Sequence, residues 1–206
     1  RGWKTSLEER YGEQAKAVEA AGETPTKLIS DGVDNCMGPT WSPDGSQLLF
    51  SCVDPVDGSA ILIHSEDDEP EIQVKGAFAK DFSWRSDGKA FFYSATHTVD
   101  RFNLYDDVYF HQIGKKSSSL LTRGKRARHP SLSPDGKDLL VVTNKVQQNQ
   151  LARMTIDQQI QPLTELEGHQ QLATPHFSPD GRYIAVSKWQ DGERDIWIYT
   201  ADGSPY

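Results

Sequence analysis

Short apolar runs recur along this chain: Leu48-Leu49-Phe50, Ala90-Phe91-Phe92-Tyr93, Leu139-Leu140-Val141-Val142 and Tyr183-Ile184-Ala185-Val186. Their continuity, in place of strict alternation, predicts strands covered on both faces. A second run follows each of them, at Ala60–His64, Asp107–His111, Leu151–Thr155 and Asp195–Tyr199. More polar segments, Thr26–Ser30, Glu71–Lys75, Ser118–Thr122 and Gln159–Thr164, read as solvent-facing outer strands. The first nineteen positions of pattern differ: Trp3, Leu7, Tyr11, Ala15 and Val18 fall at three- and four-residue steps, Ser6 with Glu9 forms a capping box, and Gly22 supplies a stop. This predicts one amphipathic helix over 3–21, whose stripe must bury against either the β-region or a preceding domain.

Each apolar run is led by the same turn: Pro39-Thr40-Trp41-Ser42-Pro43-Asp44-Gly45, Phe82-Ser83-Trp84-Arg85-Ser86-Asp87-Gly88, Pro130-Ser131-Leu132-Ser133-Pro134-Asp135-Gly136 and Pro175-His176-Phe177-Ser178-Pro179-Asp180-Gly181. The turn aspartates lie 43, 48 and 45 residues apart, the period of a four-stranded propeller blade. Asp44, Asp87, Asp135 and Asp180 read as turn formers that bond nearby backbone, and Gly45, Gly88, Gly136 and Gly181 as residues accepting positive φ. The second copy lacks both prolines and has Arg85 for serine, which predicts a looser turn. If the turn is a three-residue loop, Ser42 faces Ser46, and Cys36 and Cys52, each eight residues from Asp44, face one another. Opposed residues stand about 4.5 to 5.5 Å apart, within reach of a disulfide. Such a bridge would suit an oxidising compartment; the alternatives are a pair of buried thiols or a loop at 36–38 that breaks the register.

The pattern divides the chain into an N-terminal helix over 1–23, read as a remnant or linker of an upstream domain, and an all-β propeller segment over 24–206. Its four blades carry turn motifs at 42–45, 85–88, 133–136 and 178–181. The last blade has no outer strand after it, while Thr26–Ser30 precedes the first blade. Either that strand closes a four-bladed ring, or the chain is an arc of a larger one; the steep tilt of four blades favours the arc. An open arc predicts self-association through its terminal blades.

A formal charge of −8 over 206 residues argues against nucleic-acid and anionic-membrane partners, and no apolar stretch is long enough to span a membrane. No nucleophile motif or phosphate loop is present, and neither the six histidines nor the cysteines have metal-ligand spacing. The sequence therefore points to no catalysis and no cofactor. His129 and His176 precede innermost strands, whose ends line a propeller channel, and are the only metal candidates. An acidic run, Ser65–Glu71, and a basic one, Lys115, Lys116, Arg123, Lys125, Arg126 and Arg128, read as loops. The basic run opposes the molecule's own sign and, with Trp189 and Tyr206, forms the candidate binding surface.

The repeat, with its Asp-Ile-Trp-Ile-Tyr strand and Leu-Thr exit, resembles the WD-type blades of TolB-like β-propellers, also found in the non-catalytic propellers of prolyl-oligopeptidase-like and tricorn-like proteases. The resemblance covers about residues 24–206. It implies a ring of six blades or more, and a non-enzymatic role binding a protein or peptide in the bacterial periplasm or envelope. It also implies an alternative, the accessory propeller of a peptidase whose catalytic domain lies outside this chain. A lyase branch that gathers histidines and a metal in the channel would use His129 and His176.

Overall fold

The computed structural model describes residues 2–22, 28–30, 35–56, 58–66, 68–145, 148–155, 157–165 and 170–206. The chain divides into two units, residues 1–31 and 32–206. The described residues of the first contain a single helix, α1 (Gly2–Ala21), one residue longer at its start than the spacing predicts. None of its residues is buried, and the stripe of Trp3, Leu7, Tyr11 and Val18 is exposed.

The second unit is four antiparallel sheets in chain order. The first is β1 (Met37–Trp41), β2 (Gln47–Asp54), β3 (Gly58–Ser65) and β4 (Glu71–Lys75). The second is β5 (Phe82–Trp84), β6 (Ala90–Val99), β7 (Asn103–Gln112) and β8 (Ser119–Leu120). The third is β9 (Ala127–Leu132), β10 (Asp138–Lys145), β11 (Gln148–Thr155) and β12 (Ile160–Pro162). The fourth holds three strands, β13 (Gln171–Phe177), β14 (Tyr183–Gln190) and β15 (Glu193–Thr200), with a bridge from Pro205 to Tyr199 where an outer strand would lie. Each sheet is a propeller blade, with strands ordered from innermost to outermost. Of the outer strand predicted at Thr26–Ser30, residues 26 and 27 lie outside the described residues, and 28–30 are not in a strand.

The four turns share one geometry that differs from the predicted three-residue loop. The amide of Ser42 donates to Gln47, not to Ser46, and the same pairing joins Arg85 to Ala90, Ser133 to Asp138 and Ser178 to Tyr183. The loop thus holds four residues, with Gly45, Gly88, Gly136 and Gly181 at φ 66–74°. The extra residue is taken up inside three innermost strands, where the register shifts around Gly38-Pro39, His129-Pro130 and Thr174-Pro175. The residue before each proline has positive φ, 70° at Gly38, 55° at His129 and 47° at Thr174. At Gly38 a side chain is also barred by space, because a Cβ would meet the carbonyl oxygen of Lys80 at 2.6 Å. The bulge returns Met37 to face Ser51, and Cys36 and Cys52 are joined by a disulfide.

Blades stack in chain order, and their apolar runs split between two interfaces. Leu139 and Val141 pack with Val108, Ala152 and Met154 between the second and third blades. Leu140 and Val142 pack with Leu151, Leu172, Ile184 and Val186 between the third and fourth. Leu49, Ile61 and Ile63 meet Phe82, Trp84, Phe91 and Tyr93 between the first two. This double coverage is why the runs are continuous. Buried polar groups stitch the same seams: Ser51 Oγ donates to the Ala79 carbonyl and accepts its amide, and the Asn149 side chain does the same with Leu172. The outward side of the fourth blade is open, with Ile196 71% exposed, whereas the first blade buries Phe50, Cys52 and Leu62 on its outward side and exposes Trp41.

Candidate functional site

The six basic residues singled out in the sequence do not form one patch. Lys115 and Lys116 lie in the β7–β8 loop, at the end of the second blade that carries the Arg85–Lys89 turn, where the Ile113 amide donates to the Lys89 carbonyl. Arg123, Lys125 and Arg126 lie in the linker to β9, beside the opposite end of that blade, and Arg128 is on β9 itself, paired with Val142. The linker is pinned by the buried Asp107, whose carboxylate accepts from Thr122 Oγ1 and from the amides of Gly124 and Lys125. Arg126 stacks its guanidinium 4.2 Å above the Tyr105 ring and donates to its hydroxyl. Trp189 pairs with Gln171 and Arg194 and is half-buried, while Tyr206 is exposed and packs edge-on against Tyr183.

His129 and His176 are not equivalent. His129 precedes its proline and matches Gly38, Asp81 and Thr174, whereas His176 follows its proline and matches Thr40, Ser83 and Ser131. Both line a cavity of about 140 Å³ where the four innermost strands converge, together with Asp81 and Lys80. There His129 Nδ1 lies 2.8 Å from Asp81 Oδ2 and donates to it. Among the described residues, no group of three or more His, Cys, Asp or Glu is placed to hold a metal ion.

A larger hollow, of about 670 Å³, opens between the first two blades. One wall is the length of β4 with Gly76 and Ala77. The other is the face of β6 and β7 that carries Tyr93, Ala95, His97 and Tyr109, and Gly114–Ser118 close one end. These two strands are ten residues long, against eight in the other blades, so their face reaches beyond the first blade's core. The Tyr93 and Tyr109 rings stack 5.1 Å apart with 11° between their planes. Tyr93 donates its hydroxyl to Ser118 Oγ, which also lies 3.1 Å from His111 Nδ1 and ties the lysine-bearing loop to the floor. Burial pushes the Tyr93 hydroxyl up to about 12, and burial followed by the Asp107 charge raises that of Tyr109, so both stay neutral at ordinary pH. Burial also lowers the His111 imidazole, which keeps it uncharged. The sequence signal for this wall is the two-residue alternation Phe91, Tyr93, Ala95, His97, paired with His111, Tyr109, Asp107, Tyr105. Reading 90–93 as one apolar run hides it.

No family model matches the sequence. An uncharacterized protein of Agrobacterium fabrum is 27% identical over 171 residues, covering 81% of this chain and 55% of that protein. A solved structure from Agrobacterium tumefaciens described as a TolB aligns with a TM-score of 0.70 at 26% identity, over 82% of this chain and 60% of its own. The fold is TolB-like. TolB from Acinetobacter baumannii gives a TM-score of 0.67 at 20% identity, over 83% of this chain and 42% of its own. A prolyl endopeptidase structure gives 0.62 at 15% identity, over 90% of this chain and 30% of its own, a likeness of fold alone. This TolB-like chain therefore spans 55 to 60% of the length of the first relatives it matches. Among its described residues no helix is long and apolar enough to cross a membrane.

Proposed function

We propose that this chain is a non-enzymatic protein- or peptide-binding module of a bacterial envelope, built on a TolB-like propeller segment. The observation that carries the reading is the 670 Å³ groove between the first two blades, walled by a strand edge and by neutral aromatic side chains. A concave surface with a few placed polar groups on a rigid scaffold is what recognition needs. The periplasmic placement rests on likeness to TolB chains and on the Cys36–Cys52 bridge, which persists in an oxidising compartment. Panning a random displayed-peptide library on the immobilised chain should enrich related sequences that soluble chain competes away; no enrichment over a blank surface contradicts the reading. The open face of the fourth blade, with Ile196 and Ile198, supports a second element of the proposal, concentration-dependent self-association.

A further inference from the structure

We propose that the groove between the first two blades takes an extended, carboxylate-bearing peptide, which pairs along the free edge of β4 and sets its acidic side chains against Lys75, Lys115 and Lys116. The inference rests on the binding-module reading above and names its ligand class. Among the described residues β4 is the last strand of its sheet, so one row of its backbone N–H and C=O groups has no neighbouring strand there. That strand forms one whole wall of the groove. An extended segment can continue the ladder there, and five paired residues would occupy roughly 17 Å. Every second side chain of such a segment would point at the opposite wall, where the half-buried Tyr109 ring offers an apolar surface.

Charge selects the ligand's sign. Among the described residues that line it, the groove carries three exposed lysines and one carboxylate, Glu71, in a chain whose net charge is −8. None of these lysines is ion-paired with a described residue. Burial keeps the tyrosines uncharged, so they offer no repulsion to an anion. Size argues against the central cavity as the site, since 140 Å³ does not admit an extended chain.

The test is fluorescence anisotropy on the 206-residue chain with a labelled octapeptide of alternating Glu and Val. Its comparators are the Lys-Val peptide and Glu-Val peptides N-methylated at alternate backbone nitrogens in either phase. Binding of the Glu-Val peptide is expected, with at least about a tenfold loss for the Lys-Val peptide, for one N-methyl phase, and for Lys115→Glu/Lys116→Glu. Both lysines are on an exposed loop, so the double variant should keep its unfolding midpoint. Unchanged affinity in both N-methyl phases overturns the edge pairing, and unchanged affinity in the double variant overturns the site. Absence of Glu-Val binding overturns the ligand class. If displayed peptides still bind the double variant undiminished, the groove falls while the binding-module reading stands; if no peptide of any composition binds, both fall.

Discussion

Each turn is fixed by one carboxylate doing several jobs. Asp44 accepts from Ser42 Oγ, from Ser46 Oγ and from the Ser46 amide, and these bonds hold its carboxyl near 2, well below the ordinary 3.8. Asp180 is held near 2 by Ser178 and Arg182, and Asp135 is lowered by Ser133 and Lys137. In the second copy Arg85 replaces serine and grips Asp87 with two 2.7 Å bonds, so that this carboxyl also sits near 2 and the turn keeps the backbone hydrogen bonds of the other three. Because the folded values are depressed, their contribution to stability is complete above the unfolded value and is lost as pH falls through the folded one. Unfolding midpoints should therefore hold down to about pH 4 and fall toward pH 2, and Asp→Asn at all four turns should flatten that acid limb. An acid limb unchanged by the four substitutions contradicts this. The Cys36–Cys52 bridge closes a loop with a sequence separation of 16, so Cys36→Ser/Cys52→Ser should cost on the order of 3 kcal/mol in denaturant titration.

The sequence already held the turns, since proline, aspartate and glycine act locally. It did not hold the register. The four-residue loop moves partners by one, and the bulges at Gly38, His129 and Thr174 undo the shift, so Cys36 still meets Cys52 although Ser42 does not meet Ser46. Those bulges put β-branched Thr174 at positive φ ahead of a proline, a conformation that no local propensity predicts.

At the scale of elements, stability is concentrated in the seams between blades. Leu140 is fully buried between the third and fourth blades, and Leu140→Ala should cost about 2–5 kcal/mol. Ile72, half-exposed on the outer strand β4, should lose about 0.5 kcal/mol or less on substitution by alanine. Ser51→Ala strips the Ala79 backbone of its partner across the first seam and should cost about 1–3 kcal/mol, more than an exposed serine would. Equal midpoints for the three variants in denaturant would contradict the stacked-seam account. The apolar runs made these seams legible as doubly covered strands. The groove was not legible, because it arises where the longer β6–β7 hairpin overhangs its neighbour, a relation between blades that no single repeat encodes.

At the scale of the whole chain, one face of the fourth blade is apolar and exposed. Ile196 and Ile198 on β15 point away from the third blade, and the chain should associate with rising concentration in light scattering. Ile196→Asp/Ile198→Asp should return it to monomer, and a wild-type chain monomeric at every concentration contradicts the proposed association. The basic run shows how the fold rearranges what the sequence places together: Lys115 and Lys116 lie at one end of the second blade, the cations from Arg123 onward lie beside its other end, and of the six only Lys115 and Lys116 reach the groove.

The central functional claim is that recognition occurs in the side groove and not in the channel. Hydrogen exchange of the whole chain, with and without the Glu-Val peptide, tests it most directly. Slowed exchange confined to residues 71–77 and 114–118 is the predicted result. Slowed exchange at 38–40, 80–82, 129–131 and 174–177 instead, around the central cavity, would contradict it.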